Sequence, residues 1–137
     1  MKKSKFQFQN PRISSFLINE NKDFDNDKFD GFSISTSIDI QIIEDDKEAK
    51  VSLAIKIGDK TDQYPFFMIV ETYSLFKNDG TDNFNELLKI NAPALLLSNI
   101  RPIIALMTSQ LGFKPFYIPF MNFTNYSDND EIQEDTN

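Results

Sequence analysis

Between residues 32 and 42, apolar and polar side chains alternate with a period of two. Phe32, Ile34, Ile38, Ile40 and Ile42 fall on one side, and Ser33, Ser35, Ser37, Asp39 and Gln41 on the other. That spacing predicts a β-strand with one buried face. A charged turn over 44–48 follows, and Val51, Leu53, Ile55 and Ile57 then repeat the alternation against Ser52, Ala54 and Lys56. Gly58-Asp59-Lys60 supplies the next turn. Nearer the start, Phe6, Phe8, Ile13, Phe16 and Ile18 are spaced like a strand broken at Asn10-Pro11, where the missing proline N–H suits a bend or bulge. Residues 64–73 depart from alternation. Phe66, Met68 and Val70 lie on one face and Phe67, Ile69 and Tyr73 on the other. Two apolar faces require cover on both sides, from helices, another subunit or a bound client.

Helical spacing begins after Gly80. Thr81 or Asp82 can cap a short helix through Phe84, Leu87 and Leu88 that ends before Pro93. A longer helix is predicted over 94–111. It either restarts at Ser98 or Asn99, with Pro102 in its first turn, or runs on and kinks at Pro102. Leu95, Leu96, Leu97, Ile100, Ile103, Ile104, Leu106, Met107 and Leu111 surround it almost completely. A helix apolar all round is buried all round. One sheet covers one side, so Leu96, Ile100, Ile103, Ile104 and Met107 are the residues expected to meet a second copy. From 112 to 123 two prolines forbid regular helix, and the stretch reads as extended and stiff. The whole reads as one domain over 1–123 with a disordered acidic tail over 124–137.

Composition removes function classes. With no Cys and no His, thiolate and imidazole chemistry and the usual zinc sites are excluded. Net charge of -7 argues against nucleic acid and against anionic lipid. No Gly-x-Gly loop is present to cradle phosphate. The acidic string from Asp23 to Asp27 lacks the glycine and glutamate that a calcium loop needs, since Lys28 and Ile34 occupy those positions. No cofactor, no metal site and no enzymatic activity are expected. No apolar run of signal-peptide length appears, and 92–113 is broken by Asn99, Arg101 and Pro102, so a cytoplasmic setting without membrane insertion is expected. Fourteen Phe and no Trp mean either a Phe-rich core or aromatic side chains turned toward a partner.

Asn91-Ala-Pro-Ala-Leu-Leu-Leu-Ser-Asn-Ile-Arg101, then Gly112-Phe-Lys-Pro115 and Ile118-Pro-Phe-Met-Asn-Phe123, resemble the SecB family of protein-export chaperones. Asn91, Arg101, Gly112, Pro115, Pro119, Asn122 and Phe123 occupy the matching positions, and Val70-Glu-Thr-Tyr-Ser-Leu-Phe76 looks like the end of the family's fourth strand. The resemblance implies an α+β fold, a four-stranded antiparallel sheet with helices on one side. It also implies a homotetramer built as a dimer of dimers, unfolded or preprotein polypeptides as clients, and SecA as the motor that receives them. Ile69 departs from the acid which that family carries on its motor-contacting face. Promiscuous binding calls for adaptable apolar surface, and Phe67, Ile69, Tyr73, Phe76, Phe113, Phe116, Tyr117, Phe120 and Met121 are the candidate client-binding residues. Core packing is the alternative role for each of them. A chaperone dedicated to one partner (an antitoxin or a phage protein) and a structural oligomer without clients remain open readings.

Overall fold

A computed structural model describes residues 5–123 and the strand Ile132–Thr136. In chain order the elements are β1 (Phe6–Phe8), β2 (Arg12–Glu20), a 3-10 turn (Asn26–Lys28), β3 (Phe32–Glu44), β4 (Glu48–Ile57), β5 (Phe66–Asn78), α1 (Phe84–Gln110) and β6 (Ile132–Thr136). The strands form one antiparallel sheet in the order β1-β5-β4-β3-β6, and β2 also pairs with β5. The α+β class with a helix on one side of an antiparallel sheet is as expected. The sheet is wider than four strands because β6 adds to β3, and there is one helix instead of two.

β1 and β2 share one edge of β5. β1 pairs with its end, Phe8 opposite Phe76, and β2 with its earlier part, Phe16 opposite Val70. Pro11 lies in the gap between them, where a ladder N–H is missing. Two buried hydroxyls repair the break: Thr72 Oγ1 donates to the Arg12 carbonyl at 2.8 Å and Ser74 Oγ to that of Gln9 at 2.6 Å. Unpaired, each carbonyl would cost about 1–3 kcal/mol.

The alternating residues of β3 and β4 point where their parity says. Ile34, Ile38, Val51, Leu53, Ile55 and Ile57 are buried beneath α1. Ile42 is the exception: it lies on the apolar side of the pattern but is exposed near the end of β3. β4 ends at Gly58, whose φ of +66° is left-handed and where a Cβ would stand 2.7 Å from the Phe66 carbonyl oxygen. The phenylalanines gather at two ends of the inner face. Phe66 meets Phe32 at 4.7 Å and Phe113 at 5.1 Å, while Phe76 stacks on Phe6 at 5.3 Å and lies 5.8 Å from Phe8.

α1 runs unbroken from Phe84 to Gln110 with Pro93 and Pro102 inside it. This corrects the expected stop before Pro93. Each interior proline costs about 3 kcal/mol, but Leu88, Leu96, Leu97, Ile100 and Ile104 are each buried on the sheet, at about 1.5–3 kcal/mol apiece. Packing therefore carries the helix across both prolines. Of the tail expected over 124–137, residues 124–131 and 137 lie outside the described residues. Ile132–Thr136 pairs with β3, Thr136 opposite Phe32, which departs from the expectation of disorder for those five residues.

Candidate functional site

The chain leaves α1 through Gly112, at φ +90°, with the Gly112 N–H on the Ser109 carbonyl and the Phe113 N–H on that of Thr108. It then runs back beside the helix, held by two clamps. The buried Thr108 hydroxyl accepts the Phe116 N–H at 2.8 Å and lies 3.0 Å from the Ile104 and Ala105 carbonyls, to which it can donate. Arg101 Nε donates to the Ile118 carbonyl at 2.9 Å. Pro115 and Pro119 stiffen the segment. Between these anchors the side chains sort sharply. Ile118, Met121 and Phe123 are buried in the core, and Phe113 and Phe116 pack half-buried against Phe66 and Phe32. Tyr117 and Phe120 are 72% and 75% exposed. An anchored backbone thus displays two aromatic rings to solvent.

The candidate residues of β5 divide by face. Phe76 is on the inner face and wholly buried, so it belongs to the core and not to a client surface. Phe67, Ile69 and Tyr73 lie on the outer face. Phe67 is nonetheless buried, with the Lys56 ammonium 5.8 Å and the Lys60 ammonium 5.7 Å from its ring centroid. Lys50 stands 4.5 Å from the Tyr73 ring. The chain's own lysine stems therefore supply part of the cover that the apolar second face demands. A shallow cleft of about 330 Å³ on this face is lined by Ser37, Asp39, Lys50, Ser52, Glu71 and Tyr73.

The helical candidates for a contact between copies divide as well. Leu96, Ile100 and Ile104, expected to meet a second copy, are instead fully buried within the chain against its own sheet. Ile103 and Met107 are half-buried at the flank of α1. Leu106, 57% exposed, stands on the open side, among Asn99, Pro102, Ser109 and Gln110, which are also exposed. Those polar neighbours mark the solvent side of the helix, and Leu106 is the apolar residue out of place there.

Compared with known proteins, the chain matches the family model of the preprotein translocase subunit SecB over residues 6–133. It belongs to the SecB family. Among solved structures it is similar to a SecB-like chaperone of Mycobacterium tuberculosis in complex with a ChAD peptide from the HigA1 antitoxin. The TM-score is 0.62 at 13% identity, over 85% of this chain and 91% of that one. A protein of unknown function from Streptococcus agalactiae aligns with TM-score 0.50 at 11% identity, over 84% of this chain and 97% of that one. No curated protein sequence matches the chain.

SecB membership makes this a chaperone-family fold, and it bears on α1. By length and mean hydropathy Phe84–Gln110 is apolar enough to cross a membrane, more so than its interrupting polar residues suggested. In this SecB-family chain, however, its buried residues face the sheet. Sequence reasoning missed the Thr108 clamp. Its signal was a hydroxyl four residues after Ile104, on the buried stripe of the helix.

Proposed function

We propose that this SecB-family protein is a non-enzymatic holdase that binds unfolded polypeptide segments in the cytoplasm. The observation that carries the reading is the display of Tyr117 and Phe120 on an anchored segment. A Phe ring carries about 200 Å², so at 75% exposure Phe120 still offers about 150 Å² to a client. At about 25 cal/mol/Å² that is worth about 4 kcal/mol, less about 1 kcal/mol for ordering the side chain. Because the segment is already fixed, little further ordering opposes binding. Ile69 on the outer face, in place of an acid, favours holding over obligatory transfer to SecA. A second copy against Ile103, Leu106 and Met107 would remove the remaining apolar stripe of α1 from water, in keeping with a dimer of dimers.

The test is fluorescence anisotropy with a labelled, chemically unfolded client. The Tyr117→Ser/Phe120→Ser double variant is expected to keep the wild-type circular dichroism and bind at least about tenfold more weakly, from the areas above. Unchanged affinity contradicts the reading. A second reading, a chaperone dedicated to one partner, is favoured by the antitoxin peptide in the similar solved structure. Binding confined to one client among several unrelated unfolded proteins would select it.

A further inference from the structure

We propose that the end of the outer sheet face beside the β4–β5 connection binds an acidic segment of a partner protein, one that also carries apolar side chains. The patch lies away from the Tyr117 and Phe120 display and does not depend on it. Its centre is Phe67, with the ammonium groups of Lys56 and Lys60 converging on one ring at 5.8 and 5.7 Å. Among the described residues the ion pairs are those of Lys28, Lys47 and Lys77, so neither lysine beside Phe67 has a carboxylate within ion-pair distance. In a chain with 21 acidic and 14 basic side chains, two cations beside one ring without an anion suit one supplied from outside. A carboxylate brought to this end of the face would be attracted by both ammonium groups and could accept a charge-assisted hydrogen bond from either.

The neighbouring carboxylates define the boundary. Asp62 is taken by Lys28 at 2.6 Å, and Asp59 accepts from the Thr61 N–H at 2.8 Å. Glu20 stands at the end of β2, opposite Phe66 in register. Asp39 and Glu71 line the cleft around Lys50 and Tyr73, so that part of the face disfavours an acidic ligand. The apolar part of the footprint is the row that crosses the sheet beside Lys56, where Ile69 and Leu17 follow in register. Leu17 is 40% exposed and Ile69 half-buried. Two cations at one end of an apolar row match a segment that combines Glu or Asp with Leu or Phe.

The test is anisotropy with a short labelled peptide alternating Glu with Leu, alongside a peptide of the same design with Gln for Glu. The intact chain is expected to bind the Glu peptide, and added salt to weaken it. Lys56→Glu/Lys60→Glu is expected to lower affinity about tenfold, and Lys56→Gln/Lys60→Gln by less. Both lysines are exposed, so each variant should fold as wild type. The Tyr117→Ser/Phe120→Ser variant should bind the Glu peptide normally, which separates this surface from the client display. Equal binding of the Glu and Gln peptides, indifference to the charge reversal, or lysine-dependent binding of phosphatidylserine vesicles without peptide binding would each overturn the proposal.

Discussion

Replacing Ile104 with Asp is a test of how α1 is oriented. Ile104 is completely buried between helix and sheet. Deleting a buried aliphatic side chain costs about 2–5 kcal/mol, and an uncompensated buried carboxylate about 3–5 kcal/mol more. The sum is comparable to the whole stability of a domain, about 5–15 kcal/mol. With a urea slope of about 1–3 kcal/mol/M, the unfolding midpoint should fall by at least about 2 M, and much of the protein should be unfolded without denaturant. Two residues along, Leu106 is 57% exposed, and Leu106→Asp should change the stability of the folded chain by no more than about 0.5 kcal/mol. If a second copy covers this stripe, Leu106→Asp should also elute as a smaller species. Urea denaturation followed by circular dichroism, with size-exclusion chromatography beside it, reads both effects. An Ile104→Asp protein with the wild-type midpoint would refute the packing of α1 described above. A Leu106→Asp protein that unfolds as readily as Ile104→Asp would show that the exposed stripe has been placed on the wrong side.

Thr108→Val removes the acceptor of the Phe116 N–H and should cost about 1–3 kcal/mol and speed hydrogen exchange at the Phe116 amide, whereas Thr108→Ser should do neither; equal exchange in all three would exclude the clamp. The Lys28 ammonium is held above its usual 10.5 by the Asp62 hydrogen bond and then by the Asp62 charge. That pair's contribution is therefore fully present below 10.5 and lost as pH rises through the raised value. Thermal midpoints of wild type and Asp62→Asn should accordingly differ at neutral pH and converge in alkali, and a gap that widens with alkaline pH would contradict the pairing.

Period-two alternation made β3 and β4 readable from the chain, because one face of each is buried and the other is not. Parity along β5 likewise puts Phe76 with Phe66, Met68 and Val70 on the inner face; its aromatic character, not its position, suggested a surface role. α1 was harder for two physical reasons. Pro93 and Pro102 are strong local stop signals that only tertiary burial overrides. An all-round apolar helix also has no phase, so sequence alone could not separate the buried Ile104 from the exposed Leu106. Asp and Glu in 128–135 read as a solvated tail, since the pairing of Ile132–Thr136 with β3 comes from a distant edge and leaves no local trace. The segment over 113–123 was legible as stiff and aromatic. Which rings face outward was not, because that depends on backbone contacts made by Arg101 and Thr108 from the helix.

The most direct test is light scattering of a chemically unfolded client diluted into buffer with and without this protein. Aggregation should be suppressed at an equimolar ratio of assembled protein to client, without ATP. Aggregation at the same rate and to the same extent in its presence would contradict the holdase reading.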